Sequence, residues 1–216
     1  MKSALIFCNG APVKKSIYQQ LKKRFNPYLI GADGGTNYLF KIKETPEFII
    51  GDLDSINPDV LEFYRKKKVK IIKLKRQNDT DLEKALKLCK RLKFEKIFIT
   101  NFTGKRFDHT LSNISNALKF AIYFKIVMIE DETTLQFITG KNEFKSFKNE
   151  LVSILCFNPD VKISTRHLKY PLKNETLFFG ERESTSNVSV SEKFEITVDG
   201  GFAVLLRSTK NFLKYD

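Results

Sequence analysis

The sequence predicts an α/β domain with a mostly parallel sheet flanked by helices, followed by an all-β sandwich domain. As far as about residue 132, short apolar runs typical of buried strands alternate with segments of helical periodicity. Beyond that point, short β-rich runs are separated by turn residues, and no long amphipathic helix is evident. Alternating strands and helices build parallel sheets covered by helices. We therefore expect an α/β domain over residues 1–132 and a β-sandwich domain over residues 133–216.

The predicted elements of the first domain follow from local patterns. The fourth helix, for example, is predicted because apolar side chains recur along this segment at helical spacing. The strands are predicted at Ala4–Cys8, Tyr28–Ile30, Phe48–Ile50, Val69–Leu74, Lys96–Thr100 and Lys125–Ile129. The helices are predicted at Val13–Phe25, Thr36–Ile42, Asp59–Lys67, Thr80–Leu92 and His109–Tyr123.

In the second domain the runs are too short for helices and are rich in β-forming residues. The predicted strands are Thr134–Ile138, Leu151–Phe157, Thr176–Phe179, Asn187–Val190, Phe194–Val198 and Ala203–Arg207.

The chain is strongly basic, with a formal net charge of +13. Such a charge suggests anionic partners, among them nucleic acid, acidic membranes and phosphorylated small molecules. Because the lysines and arginines are scattered, and because abundant Lys, Phe, Ile and Asn are typical of an AT-rich genome, we expect no nucleic-acid partner. No apolar run approaches the length of a membrane span, so no membrane partner is expected. The three cysteines are far apart and odd in number, which predicts a reducing cytoplasm and no zinc site.

Aspartates follow four consecutive predicted strands of the first domain. Ligands of doubly wound sheets bind beyond the carboxyl ends of the strands, where these residues would lie. Aspartate oxygens suit Mg²⁺, which takes a few carboxylates together with water and phosphate. Asp52 and Asp54 alternate in what we expect to be an extended segment, so both can face one ion, and Asp81 can add a third ligand. The neighbouring glycines permit close approach of phosphate, and Lys105 and Arg106 can neutralise it.

A structural interpretation competes with this one. Aspartate and glycine after a strand are ordinary turn residues, and Thr80 with Glu83 fits a helix capping box. Four adjacent strand ends with the same composition favour a site, one equipped for phosphoryl transfer. Neither GxxxxGK[ST] nor GxGxxG occurs, which argues against a P-loop enzyme and a usual dinucleotide-binding protein. Neither histidine is assigned a role as a base.

The order of these motifs over nearly the whole chain resembles the thiamine pyrophosphokinase family. The family's ADGG stands at Ala32–Gly35, and its GDxDS is complete at Gly51–Ser55. Its DxTD loop appears at 78–81 with Asn78 in place of the first aspartate. Its GGRxDH appears at 104–109 with Lys105 in place of the second glycine. The family's LKYPL and SN signatures stand at 168–172 and 186–187.

The resemblance implies an activity, a fold and a set of site residues. The enzyme would transfer the terminal diphosphate of ATP to the hydroxyl of thiamine, giving thiamine diphosphate and AMP. It would have an α/β catalytic domain and a β-sandwich domain, and it would work as a homodimer with thiamine between subunits. The implied catalytic residues are Asp52, Asp54, Asp81, Arg106 and Asp108, of which Asp52, Asp54 and Asp81 would hold Mg²⁺. The implied ATP-binding residues are Gln77, Thr80, Arg106, Asp108 and Asn113. The implied thiamine-binding residues are Asp33, Ser184, Thr185, Ser186 and Asn187.

Two details stay open. Either Asp33 or Asp108 can accept the proton of the attacking hydroxyl. The family sometimes places a large aromatic residue against thiamine near the last strand, and in this chain, which has no Trp, Phe202 is the candidate.

Two alternative functions are kept. A pyrophosphokinase for another acceptor, such as a pterin alcohol, would share the ATP half, and the Ser184–Asn187 segment argues against it. A nucleic-acid-binding protein would gather its basic residues on one face beside aromatic residues, and the scattered lysines argue against that.

Overall fold

The computed structural model describes residues 1–74, 78–104 and 106–215. The chain forms two compact units, over residues 1–129 and 130–216. The predicted α/β class of the first and the predicted β class of the second are confirmed. Within the described ranges, no helix has both the length and the apolar character needed to cross a membrane.

In the first unit, the described residues form a six-stranded parallel sheet with helices in the connections. The strands are ordered β6-β5-β1-β2-β3-β4, and each neighbouring pair is parallel. The elements are β1 (Ser3–Phe7), α1 (Lys15–Phe25), β2 (Tyr28–Ala32), α2 (Gly35–Lys41), β3 (Phe48–Gly51), α3 (Pro58–Lys66), β4 (Lys70–Lys73), α4 (Asp81–Arg91), β5 (Lys96–Thr100), α5 (Phe107–Phe120) and β6 (Lys125–Ile129).

Helix α4 carries two residues of the site described below and packs against the sheet. Leu82, Ala85, Leu86 and Cys89 form its buried face, and the helix contacts β1, β2 and β3. The apolar face predicted from the sequence is therefore the face that packs on the sheet. This packing fixes the first turn of α4 beside the strand ends.

The second unit consists of antiparallel strands around its own core, followed by a short helix. Its long strand β12 is irregular between Val198 and Ala203, so that its first half pairs with β9 and its second half with β8, while β7 pairs with both halves. The elements are β7 (Thr133–Lys145), β8 (Leu151–Leu155), β9 (Lys162–Arg166), β10 (Glu175–Thr176), β11 (Ser184–Val188), β12 (Lys193–Ser208) and α6 (Thr209–Tyr215).

Helix α6 and strand β9 are elements that the sequence analysis does not predict. Helix α6 is only seven residues long, too short for a helical period to stand out. It is held by Thr209, whose backbone N–H donates to Glu132 O at 3.0 Å and whose hydroxyl donates to Glu130 O at 2.7 Å. Phe212 is buried, which anchors the helix to this unit.

Candidate active site

Three aspartates from separate segments meet at the carboxyl edge of the parallel sheet. Asp33 follows β2, Asp52 follows β3, and Asp81 is the first residue of α4. One carboxylate oxygen from each lies within 4.8 Å of those from the other two. We call these three residues the aspartate cluster. The sequence analysis expects acidic residues from several strand ends at this edge, and these three do converge there.

Gly51 makes this convergence possible. A Cβ atom at position 51 would lie 2.7 Å from Asp33 Cβ and 3.1 Å from Asp81 Oδ1. The backbone N–H of Asp33 donates to Ile50 O at 2.9 Å, which holds the two strand ends together. A side chain at position 51 would therefore push apart two members of the aspartate cluster.

Asp33 is the most buried member of the cluster, with 2% of its surface exposed. Its Oδ2 accepts a hydrogen bond from Ser55 N at 3.1 Å, and its Oδ1 is buried without a hydrogen-bond donor among the described residues. Burial raises the pKa of Asp33 to about 6; the Ser55 bond opposes the rise, and the charges of Asp81 and Asp54 add to it. A buried acceptor without a donor suits a cation or a ligand hydrogen.

Asp54 has a different geometry from the one expected. Leu53 has a φ of 67°, so the segment from Asp52 to Asp54 is turned and not extended. Asp54 accepts from Ser55 Oγ at 2.9 Å, and hydrogen bonds from Ser55 and Asp33 lower its pKa. It lies beside Asp33 and is exposed to solvent. Its assignment as a metal ligand stays a prediction, but the extended geometry offered for it is wrong.

Lys84 is a site residue that the sequence analysis misses. Its side chain is 2% exposed, and its Nζ lies 2.8 Å from Asp81 Oδ1 and 3.6 Å from Asp52 Oδ2. Burial lowers the pKa of Lys84, but the hydrogen bond and charge of Asp81, aided by Asp52, outweigh burial and raise it. The spacing i, i+3 from Asp81 on a predicted helix is the signal that could have found it.

Thr80 caps α4 and also ties this helix to α5. Its Oγ1 accepts from the backbone N–H of Glu83 at 3.2 Å and from Asn116 Nδ2 at 3.1 Å. Glu83 accepts from Lys119 at 2.7 Å and thereby makes a second tie between the same helices. With both bonds accepted, the hydroxyl of Thr80 keeps its own proton as a donor.

Arg106 and Asp108 form an exposed two-pronged ion pair. Arg106 Nε donates to Asp108 Oδ1 at 2.9 Å, and its second nitrogen donates to Oδ2 at 2.6 Å. The hydrogen bonds from Arg106 lower the pKa of Asp108 to about 2. The guanidinium fork that holds this carboxylate has the geometry that also binds phosphate oxygens.

A cavity of about 780 Å³ contains this edge of the sheet. The loop after β1, which the sequence analysis does not single out, forms one wall. Its Gly10 N donates to Asn101 O at 2.8 Å, and a Cβ atom at Gly10 would lie 1.9 Å from Thr103 O, so two backbones touch there. Asn113 lines the cavity and donates to Phe102 O at 2.8 Å. The other predicted site residues that line it are Asp52, Thr80, Asp81 and Arg106.

Two of the predicted phosphate-binding residues, Gln77 and Lys105, lie outside the described residues. His109, which was assigned no role, also lines the cavity.

In the second unit, Asn187 is fully engaged within the protein. Its Oδ1 accepts from Tyr170 N at 3.1 Å and from Val188 N at 2.8 Å. Its Nδ2 donates to Tyr170 O at 2.7 Å and to Ser184 Oγ at 3.2 Å. With 1% of its surface exposed, Asn187 joins β11 to the 168–172 segment.

Ser186 is the member of the 184–187 segment that reaches a cavity. It lines a second cavity of about 720 Å³, which lies within the β unit. Its φ is 55°, and its backbone N–H donates to Ser153 Oγ at 3.0 Å. Thr185 is exposed. Phe202 is half-buried and is not among the described residues that line this cavity, whereas Phe147 is.

A buried ion pair forms part of the wall of the second cavity. Arg207 Nε donates to Glu150 Oε1 at 2.8 Å, and its Nη2 donates to Glu150 Oε2 at 3.0 Å and to Lys145 O at 2.7 Å. The hydroxyl of Ser146 donates to Glu150 Oε2 at 2.6 Å. The two charged side chains are 0% and 1% exposed, so every charge is compensated locally.

These observations define the class of protein. It combines a parallel α/β unit, which carries an acidic ligand site at the carboxyl edge of its sheet, with an antiparallel β unit that has a cavity of its own.

Known proteins combine the same two units. Residues 18–129 match the family described as thiamin pyrophosphokinase, catalytic domain, and residues 138–202 match thiamin pyrophosphokinase, vitamin B1 binding domain. Thiamin pyrophosphokinase 1 of Caenorhabditis elegans is 30% identical over 89% of this chain and 84% of its own length. Thiamine pyrophosphokinase of Bacillus subtilis is 28% identical over 83% of this chain and 86% of its own.

Solved structures agree on the fold. The crystal structure of the Bacillus subtilis thiamine pyrophosphokinase superposes with a TM-score of 0.81 at 24% identity, over 96% of this chain and 99% of the other. The solved structure of thiamin pyrophosphokinase from Candida albicans superposes with a TM-score of 0.82 at 18% identity, over 96% of this chain and 89% of the other. The chain therefore belongs to the thiamine pyrophosphokinase family.

Proposed function

We propose that this chain is a thiamine diphosphokinase, which transfers the diphosphate group of ATP to the hydroxyl of thiamine and releases AMP. The observation that carries the proposal is the aspartate cluster, which lies with a phosphate-compatible cavity at the carboxyl edge of the sheet in a chain of this family. In the reaction the thiamine oxygen bonds to the β-phosphorus, the bond from that phosphorus to the α-phosphate oxygen breaks, and the hydroxyl proton passes to a base.

The cluster fits Mg²⁺. The metal-ligand atoms that it offers are carboxylate oxygens. The buried Oδ1 of Asp33 has no hydrogen-bond donor among the described residues, and a cation or a water bound to it would satisfy this oxygen. We assign Asp52, Asp54 and Asp81 as the residues that hold the ion, with Asp33 at their inner side. The bound ion would neutralise phosphate charge during transfer.

The chain's own donors would orient ATP. Arg106 offers a guanidinium fork to the phosphates and would release Asp108 to do so, while Thr80 offers its hydroxyl proton. Asn113 lines the same cavity. Gln77, outside the described residues, completes the proposed ATP-binding set. Catalysis of this type depends mainly on position and charge.

The β unit would bind thiamine. The match of residues 138–202 to the vitamin B1 binding domain supports this role, as does the cavity that Ser186 lines. Ser184, Thr185 and Ser186 would contact thiamine, whereas Asn187 would hold the segment in shape. The proposal includes a homodimer in which this segment serves the catalytic edge of the partner subunit, where Asp33 faces thiamine.

We further propose a cytoplasmic location. The chain has three cysteines, an odd number, and they lie far apart in the sequence, which supports a reducing compartment.

A direct assay tests the proposal. Purified chain is incubated with ATP, Mg²⁺ and thiamine, and AMP and thiamine diphosphate are quantified. Equal amounts of the two products are expected. AMP formed with a pterin alcohol but not with thiamine would change the acceptor, and no AMP with either would refute the activity.

The metal assignment has its own test. Asp54→Asn is expected to reduce turnover by a factor of about 10² or more while the fold is retained, as followed by circular dichroism. Asp59→Asn, the same change at an exposed residue of α3, is the control. An Asp54→Asn variant with wild-type turnover would remove Asp54 from the metal site.

A further inference from the structure

Lys84 is a buried cation beside the oxygens that would hold Mg²⁺. Its Nζ lies 2.8 Å from Asp81 Oδ1 and 3.6 Å from Asp52 Oδ2, and 2% of the side chain is exposed. A lysine is rarely buried without compensation, and here the compensation comes from two members of the aspartate cluster. The ammonium and a metal ion would therefore interact with the same two carboxylates.

The ammonium keeps its charge in this position. Its Nζ lies within hydrogen-bonding distance of Asp81 Oδ1 and near Asp52 Oδ2, so two carboxylates stabilise the charged form of the lysine. A fixed positive charge a few ångströms from a cation site repels an incoming cation, and the repulsion is strong where little water screens it. The ammonium of Lys84 therefore neutralises part of the negative charge of Asp52 and Asp81, which weakens the binding of Mg²⁺ in the absence of nucleotide.

Nucleotide phosphates would reverse this balance. Lys84 lines the same cavity as Thr80 and Arg106, so an ammonium group with three donor hydrogens lies at the wall of the space proposed for the phosphates. A phosphate oxygen there would give the ammonium a new anionic partner. The oxygens of Asp52 and Asp81 would then be available to the metal that arrives with the nucleotide.

We propose that Lys84 is a further nucleotide-binding residue, and that it makes tight Mg²⁺ binding depend on the presence of ATP phosphates. The lysine holds Asp52 and Asp81 while phosphate is absent and transfers its hydrogen bond to phosphate when the magnesium nucleotide enters. This inference rests on the proposed function, because it takes Asp52 and Asp81 to be ligands of the magnesium ion.

A purely structural role for Lys84 predicts the opposite effect. If the lysine only holds Asp52 and Asp81 in place, its removal should weaken Mg²⁺ binding, since ligands that lose their support bind less well. If it competes with the metal, its removal should strengthen binding of Mg²⁺ alone. The direction of the change in Mg²⁺ affinity therefore distinguishes the two roles.

The test uses the full chain and isothermal calorimetry. Mg²⁺ is titrated into wild type and Lys84→Met without nucleotide, and a non-hydrolysable ATP analogue is titrated at saturating Mg²⁺. In Lys84→Met we expect Mg²⁺ alone to bind roughly tenfold more tightly or better, and the analogue to bind roughly tenfold more weakly. Weaker or unchanged Mg²⁺ binding would overturn the proposal, as would unchanged binding of the analogue.

A matched control lies one turn further along α4. Lys87 pairs with Asp79 at 2.7 Å and with Glu83 at 3.1 Å. In Lys87→Met, the affinities for Mg²⁺ alone and for the ATP analogue are both expected to stay at wild-type values. If Lys84→Met does not fold, the same affinities for Mg²⁺ and for the ATP analogue are measured in Lys84→Gln, whose amide can still donate to Asp81.

Thiamine diphosphate formation by wild type is followed in parallel. Its absence would refute the proposed activity, while the titrations would still decide the role of Lys84.

Discussion

At the residue scale, Gly51 controls how closely the aspartates approach one another. Its replacement by alanine places a Cβ atom 2.7 Å from Asp33 Cβ, which one of the two strand ends must move to relieve. We expect Gly51→Ala to lose about 1–3 kcal/mol of unfolding free energy. We also expect a loss of roughly tenfold in Mg²⁺ affinity in the presence of nucleotide. Urea denaturation and calorimetry measure the two effects.

Gly104→Ala is the control for stability, because its Cβ would find its nearest atom at an ordinary 3.5 Å. A Gly51→Ala protein that binds the magnesium nucleotide as wild type does would show that the close approach of Asp33 and Asp81 is not needed.

At the element scale, Asn187 joins β11 to the segment around Tyr170. Alanine at this position removes four hydrogen bonds and leaves the partly buried N–H groups of Tyr170 and Val188 without this acceptor. We expect Asn187→Ala to lose about 2–4 kcal/mol of unfolding free energy. Urea denaturation measures the loss. Thr185→Ala, at an exposed position of the same strand, should unfold like wild type, and equal stability of the two variants would contradict a structural role for Asn187.

The Glu150–Arg207 pair joins the end of β12 to β7 and to the start of β8. Glu150→Ala leaves the guanidinium buried without its carboxylate, which costs about 3–5 kcal/mol of unfolding free energy. Replacing both residues by methionine should cost much less, since no buried charge is left unpaired. A double-mutant cycle of Glu150→Met, Arg207→Met and the double variant, followed by urea denaturation, tests this, and additive losses would mean that the two side chains do not interact.

The sequence predicts the elements of the parallel sheet well, because each is short and bounded by turn residues. It also predicts that aspartates gather at the carboxyl edge, since that follows from strand direction alone. It cannot predict that the chain turns at Leu53, because leucine is not a residue type that usually adopts the left-handed conformation. Lys84 is missed for a related reason: its burial beside Asp52 depends on how α4 lies on the sheet.

The β unit is predicted less completely. Two predicted strands, Phe194–Val198 and Ala203–Arg207, are halves of one strand, because the glycines between them read as a turn in sequence but form an irregularity within β12. The buried role of Asn187 is also beyond sequence patterns, because its partners at Tyr170 lie 17 positions away.

At the scale of the whole molecule, a net charge of +13 coexists with an acidic site. The positive charge is dispersed over 38 lysines and arginines, whereas the aspartates are focused at one sheet edge. Dispersed positive charge attracts anionic nucleotides over a distance, and local carboxylates suit a metal and a cationic acceptor. The two features serve different steps of the proposed reaction.

The proposed dimer makes a prediction about mixed subunits. If each thiamine site combines the catalytic edge of one subunit with the 184–187 segment of its partner, Asp52→Asn and Ser186→Arg disable different halves of a site. Arginine is tolerable at Ser186, which is exposed and already has a φ of 55°. Each variant alone should be inactive. After the two are mixed, denatured together and refolded, half of the dimers are mixed, and each of these has one intact site of two.

About a quarter of the wild-type activity should therefore return, as expected for random pairing in a two-fold dimer. AMP release measures this activity, and sedimentation velocity checks that the refolded protein is dimeric. Mixing two different catalytic-edge variants, Asp52→Asn and Asp81→Asn, is the control and should restore nothing. If the Asp52→Asn and Ser186→Arg mixture stays inactive although dimers form, both halves of each site come from one chain.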